Sequence, residues 1–402
     1  MRRVVVVGAG HAGFHTAFFL RSKGWTDEIV LIDTDSRVPY QRPPLSKEFL
    51  WGKQELEDGV FRPDTYYLDE QIELISGHQV TAIERPAKQL ILEGHAPISY
   101  DHLVLATGSV ARKLSLPGGD LDGVHNLATA GDAAALRSGL ASAQNVVVIG
   151  GGFIGLESAA MAASAGKRVV VFEAANRLMA RAISQPMSEY FEKVHRAAGI
   201  DLRIAAGVNA VEGIDGRVRS VVGSDATQVD ADLVVVGIGA DANEEFAAKS
   251  GLATDRGILV DEFLKTTDPN ISAIGDCARF PLFAADGSSE LVRLESVQNA
   301  TDQARFVAHQ IMENTADPYR AVPWFWTEQF GRKLQIAGLV TGYNRTELES
   351  TGPDNFSIHC YHDETLLGTE SVNAPRDHMR ARKELTARLK QEVNATVIRF
   401  RS

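Results

Sequence analysis

Short, unbroken apolar runs punctuate the first two-thirds of this chain. Residues 4–7 and 146–149 are almost all β-branched, the signature of a strand buried on both faces of a sheet. Each run meets a glycine cluster and then a stretch of small residues suited to a helix. Further apolar runs end at Asp33 and Glu173, and two more, near 103–105 and 233–236, run into small-residue turns at Thr107-Gly108 and Gly237-Ile238-Gly239. Strands alternating with helical stretches predict parallel sheets covered on both sides. Helical spacing of Val297, Ala300, Ala304, Val307, Ala308 and Ile311 predicts a helix over about 295–314. From Pro323 the period drops to two. Segments 334–340, 356–362 and 366–372 read as antiparallel strands, closed by a basic helix over about 376–390.

The strand–helix pattern occurs twice, and the second copy looks inserted into the first. The predicted fold is therefore α/β, with two Rossmann-like dinucleotide-binding domains and an α+β C-terminal domain. Residues 1–111 and 242–322 form a split first domain, 112–241 the inserted one, and 323–402 the last. A chain of 402 residues is long enough for several cores.

The glycine clusters carry chemistry. Gly8, Gly10 and Gly13 form one GxGxxG; Gly150, Gly152 and Gly155 form the other. Asp33 stands 20 residues after Gly13 (33 − 13) and Glu173 stands 18 after Gly155 (173 − 155). Strand, glycine turn, helix, strand and acid together let backbone amides approach a pyrophosphate while the acid takes ribose hydroxyls. A side chain bulkier than Ala12 would push the pyrophosphate off the helix end. The turns Thr107-Gly108 and Gly239 can press against a bound nucleotide. Two such units imply two dinucleotides, and two dinucleotides side by side imply electron transfer between them.

Composition narrows the class. A net charge of −11 argues against general nucleic-acid binding. No apolar run reaches the ~20 residues of a membrane span, and Arg2-Arg3 leads straight into the first strand rather than a signal sequence. Only Cys277 and Cys360 occur, without a CxxC, which points to the reducing cytoplasm and excludes a disulfide scaffold. No His/Cys/Asp spacing suggests a metal site.

Five segments in order carry a resemblance: Pro39-Tyr40-Gln41-Arg42-Pro43-Pro44-Leu45-Ser46-Lys47, the second fingerprint with Leu156-Glu157, Gly275-Asp276-Cys277-Ala278, Glu295-Ser296-Val297-Gln298-Asn299-Ala300, and Pro323-Trp324-Phe325-Trp326. Over essentially its whole length the chain resembles the NADH-dependent ferredoxin reductases, such as those serving biphenyl and toluene dioxygenases. They belong to the glutathione-reductase-like two-dinucleotide flavoproteins. The resemblance implies FAD at the first fingerprint, with Asp33 on its ribose, Arg42 and Lys47 as cations of the flavin loop, and Asp276 on a ribityl hydroxyl. Val80 and Val297 would contribute backbone near the isoalloxazine. It implies NADH at the second fingerprint, where the Glu173 carboxylate would repel the extra phosphate of NADP, although Arg177 and Arg181 nearby could welcome it. Lys47, Glu157 and Trp326 are the implied catalytic residues, with Trp326 over the flavin–nicotinamide pocket.

The implied activity is hydride uptake from NADH and one-electron delivery to a two-iron ferredoxin that serves a cytochrome P450 or a ring-hydroxylating dioxygenase. Thiol-relay reductases need paired cysteines, and this chain has none. Rubredoxin or monodehydroascorbate reductase shares the architecture, and so does a non-enzymatic NADH-sensing flavoprotein. Members often carry an Arg at the position of Ala128, so that phosphate contact is lost or supplied by Arg42 or Arg112. An acidic ferredoxin needs a basic surface, for which Arg305, Arg332, Lys333, Arg376, Arg380, Arg382 and Lys383 are candidates.

Overall fold

A computed structural model describes residues 1–50, 52–283, 289–313 and 317–401. The first apolar run is the strand Arg3–Val7 at the centre of a five-stranded parallel sheet. Glu28–Asp33 and Ile72–Ser76 lie on one side of it, His102–Leu105 and Ile271–Ala273 on the other. The strand Asn145–Ile149 holds the same place in a second five-stranded parallel sheet. Arg168–Glu173 and Asp201–Ile204 flank it on one side, Leu233–Val236 and Val124–His125 on the other. Val4, Val5, Val6, Val146, Val147 and Val148 are sealed from solvent, as unbroken β-branched runs require. Each sheet carries an antiparallel three-stranded companion, at 80–99 and at 208–230.

Chain passage between the sheets is short. Ser109–Ala111 leaves the first and pairs with Ala240–Ala242 returning from the second, Ala111 opposite Ala240. This ribbon ties the two crossings between the sheets together.

The last segment is a five-stranded antiparallel sheet in the order Trp324–Gln329, Arg332–Gly338, Thr365–Val372, Asn355–His362, Arg345–Gly352. Helix Pro375–Arg401 lies on it and runs beyond the predicted end near 390. The helix expected over about 295–314 spans Val297–Glu313. Hydrophobic period misses the strand Arg345–Gly352. It is an edge strand with most side chains in solvent, Leu348 at 69% exposure included, so no buried face is left to impose alternation.

Candidate functional site

Both glycine turns are built alike. Gly8 (φ +98°) and Gly150 (φ +108°) take a conformation that L side chains rarely adopt. A Cβ there would lie 2.3 Å from the carbonyl oxygen of Ala106 or Gly237. At Gly13 and Gly155 it would strike the oxygen of Gly8 or Gly150, at 1.7 and 2.1 Å. These four glycines are needed by the chain itself. Gly10 and Gly152 are different: a Cβ at Gly10 would meet nothing within 4 Å, and one at Gly152 only the Gly237 oxygen at 4.0 Å. Both cap helices, His11–Ser22 and Phe153–Ser164, that lack a side-chain cap bond and any acid in the first turn. Open space in front of uncapped amides is what a pyrophosphate needs, so each cradle fits a dinucleotide.

The two acids repeat the symmetry. Asp33 accepts the Ala9 amide at 2.6 Å and the Asp35 amide at 2.9 Å. Glu173 accepts the Gly151 and Ala175 amides, each at 2.6 Å. Each carboxylate braces its own glycine turn, a role spacing alone does not reveal. Arg177, a candidate phosphate ligand by position, donates instead to the carbonyls of Ala180 and Ile183 at 2.6 and 2.9 Å. Arg181 stays exposed beside Gly239, which takes φ +102°.

Around the first cradle, a Cβ on Gly275 would lie 3.0 Å from that of Ala12, so Asp276 follows directly beside the first fingerprint helix. Its carboxyl is pushed up to about 6, chiefly by burial and then by the charge of Glu295. Ser109 donates to it at 3.4 Å. Thr107 donates to the Asn243 carbonyl at 2.7 Å, and Gly108 turns at φ +68°. Val80 opens the strand Val80–Glu84 with its side chain in the first core, while Val297 is half-buried at the start of its helix. Arg42 donates to the carbonyl of Ala128, reaching the very place where an arginine is missing. Arg112 is committed to Asp241 at 2.7 and 2.9 Å. His11, inside the fingerprint, adds no charge: burial first, then His15 and Arg42, pulls its pKa down to about 3.

Between the cradles, Lys47, Glu157 and Trp326 converge from three distant segments. The Lys47 ammonium lies 3.3 Å from Glu157 Oε1 and 5.9 Å from the Trp326 ring centre. Glu157 is 5% exposed, a position a carboxylate occupies only when well paired. Two unforeseen hydroxyls complete it: Ser46 Oγ donates to Oε2 at 2.7 Å and Thr327 Oγ1 to Oε1 at 2.6 Å. Trp324 and Trp326 share a strand face, rings 5.6 Å apart, and Phe325 meets Phe153 from the other at 4.5 Å.

Both cysteines are buried free thiols in separate parts of the fold. Cys277 donates to the carbonyls of Ile274 and Leu105 at 3.2 and 3.5 Å, and burial pushes both thiols up. Among the described residues no group of acids, histidines and cysteines could hold a metal, and no helix is long and apolar enough to cross a membrane. Of the basic candidates, Arg380 pairs with Glu349 and Asp377, Arg332 with Asp354, and Arg382 lies 4.6 Å over Trp324. Arg376 and Lys383 stay exposed.

Two Rossmann cradles facing each other across an ion pair, with no thiol relay, define a two-dinucleotide oxidoreductase. The chain belongs to the pyridine nucleotide-disulphide oxidoreductase family, whose pattern matches residues 2–304, and residues 324–397 match the reductase C-terminal domain. It is 49% identical over 387 residues to rhodocoxin reductase of Rhodococcus erythropolis, covering 96% of this chain and 90% of that one. Putidaredoxin reductase of Pseudomonas putida is 39% identical over 397 residues, covering 97% and 93%. Among solved structures, the covalent putidaredoxin reductase–putidaredoxin complex matches with TM-score 0.92 at 38% identity, covering 96% of this chain and 93% of that one. The ferredoxin reductase of the CYP199A2 system from Rhodopseudomonas palustris matches with TM-score 0.91 at 44% identity, covering 94% and 93%.

Proposed function

We propose that the chain is an FAD-dependent NADH:ferredoxin reductase of the cytoplasm, serving a two-iron ferredoxin and, through it, an oxygenase. FAD would lie at the first fingerprint within residues 1–111 and 242–322, NADH at the second within 112–241, and residues 323–402 would close the pocket. One observation carries the reading: the Lys47–Glu157 pair sits where the flavin loop, the second fingerprint helix and the tryptophan strand meet, in a chain without paired cysteines.

When bound, FAD accepts hydride from reduced nicotinamide and gives electrons up singly. The protein's part is placement and field. Uncapped amides at Gly10 and Gly152 hold the two pyrophosphates, and Asp33 and Glu173 hold the riboses. Asp276, raised towards neutrality, can accept from or donate to a ribityl hydroxyl. The Lys47 ammonium supplies positive charge to the pocket, oriented by Glu157, and Trp326 covers the pocket and excludes water. Glu173 together with the engagement of Arg177 on backbone carbonyls favours NADH over NADPH.

Stopped-flow tests this. NADH should bleach the holoenzyme's flavin within seconds, NADPH far more slowly, and cytochrome c should be reduced only when a ferredoxin is added. Bleaching into a long-lived complex without turnover on any carrier would favour an NADH sensor instead. If the exposed cations guide docking, ferredoxin reduction slows as salt rises.

A further inference from the structure

Behind Glu157 a line of buried polar side chains runs away from the site. Thr327 Oγ1, which donates to Glu157, lies 3.2 Å from Gln329 Nε2, and Gln329 Oε1 lies 2.7 Å from His195 Nε2. Thr327, Gln329 and His195 are each at most 1% exposed. His195 belongs to helix Gln185–Ala197 of the second dinucleotide unit, whereas Thr327 and Gln329 stand two apart on one face of Trp324–Gln329.

The carboxylate dictates the direction of every bond in this line. An ionised Glu157 only accepts, so Thr327 spends its single proton on it. The Thr327 oxygen then accepts from the Gln329 amide nitrogen, which turns the Gln329 oxygen towards His195. His195 must therefore carry its hydrogen on Nε2, leaving Nδ1 bare, and Nδ1 is indeed a buried atom without a partner. Burial pulls the imidazole's pKa down to about 4, so at neutral pH it has one N–H to place. Glu157 accepts from Ser46, Thr327 and Lys47, and the line behind it fixes which way the Thr327 hydroxyl points.

We propose that Thr327, Gln329 and His195 form a one-way hydrogen-bond relay that positions the Glu157 carboxylate and, through it, the Lys47 ammonium for hydride transfer. They are positioning residues, and their effect on rate rests on the reductase reading above. The relay also joins the helix Gln185–Ala197 to the strand Trp324–Gln329 beside the Lys47–Glu157 pair.

The test uses FAD-loaded protein. Nitrogen-15 NMR of His195 should show the hydrogen on Nε2; a hydrogen on Nδ1 overturns the relay whatever the kinetics. Thr327→Val keeps shape but removes the hydroxyl. It should keep flavin content and cost no more than a few degrees of melting temperature, while slowing NADH-driven bleaching at saturating NADH by about tenfold or more, the worth of a hydrogen bond to a charged group. The NADH concentration for half-maximal bleaching should move less than about twofold by the same reasoning. Thr327→Ser should restore the rate. Unchanged bleaching in Thr327→Val, or equal slowing in the valine and serine variants, refutes the role. Should Thr327→Val fail to take up flavin, Gln329→Leu and the His195 tautomer decide in its place. Failure of NADH to bleach the unaltered holoenzyme is a separate result that sinks the reductase reading while the tautomer still judges the relay.

Discussion

Glu370 is fully buried at the join between the C-terminal sheet and the second dinucleotide unit, and its removal as a charge should change how stability responds to pH. Its Oε1 accepts the Ser184 amide at 2.8 Å, its Oε2 accepts the Ser184 hydroxyl, and Cys360 Sγ lies 3.9 Å away. Burial pushes its pKa from 4.5 to about 7, against the opposing pull of the Ser184 bonds and the Arg177 charge. A carboxyl raised on folding binds its proton more tightly in the native state. Its contribution is therefore complete below pH 4.5 and is lost as pH rises through about 7. Linkage puts the penalty at about 1 kcal/mol at pH 5 and about 3 kcal/mol at pH 8. With an unfolding entropy of about 0.8 kcal/mol per degree for a chain this long, that difference is worth about 3 °C in Tm. Glu370→Gln keeps the shape, an acceptor for the Ser184 amide and a donor for the hydroxyl oxygen, but cannot ionise. Differential scanning calorimetry of both holoproteins between pH 5 and pH 8 should show the variant losing about 3 °C less than the parent. Parallel curves would refute the assignment of that titration to Glu370.

Three further outcomes follow from the site. Because a side chain at Gly10 or Gly152 has room in the fold itself, Gly10→Val should yield folded but nearly colourless protein, and Gly152→Val a yellow protein bleached only at far higher NADH; unfolding of either, seen by circular dichroism, would contradict the open cradles. Replacing both Cys277 and Cys360 by alanine should leave ferredoxin reduction within about twofold, since a buried thiol lost from a core costs packing and not chemistry; loss of turnover at full flavin content would reveal a thiol step. Glu173→Ala should raise the NADH KM by about tenfold or more, because the ribose partner and the brace of the Gly151 amide go together; an unchanged KM would show that the nucleotide does not use this acid.

The legible parts of this protein are those in which one position answers to one local demand. Gly8 and Gly13 cannot be anything larger because backbone oxygens stand where a Cβ would be, and that demand travels with the motif wherever it occurs. The central strands were readable for the same reason: burial on both faces leaves no choice but apolar residues. Lys47, Glu157 and Trp326 impose no such pattern, since their meeting depends on three segments of the tertiary fold, and only family resemblance could join them in advance. The relay behind them left no mark at all. Gln329 and His195 are 134 positions apart, and hydropathy scores a buried, paired glutamine as it scores one in water. The Thr327–Gln329 face is readable in one respect, since on the strand Trp324–Gln329 the neighbours of Trp326 face the other way. What period cannot supply is the partner. Polar residues in a core are determined by what they bond to, so the residues closest to the chemistry are those for which the one-dimensional pattern is least informative.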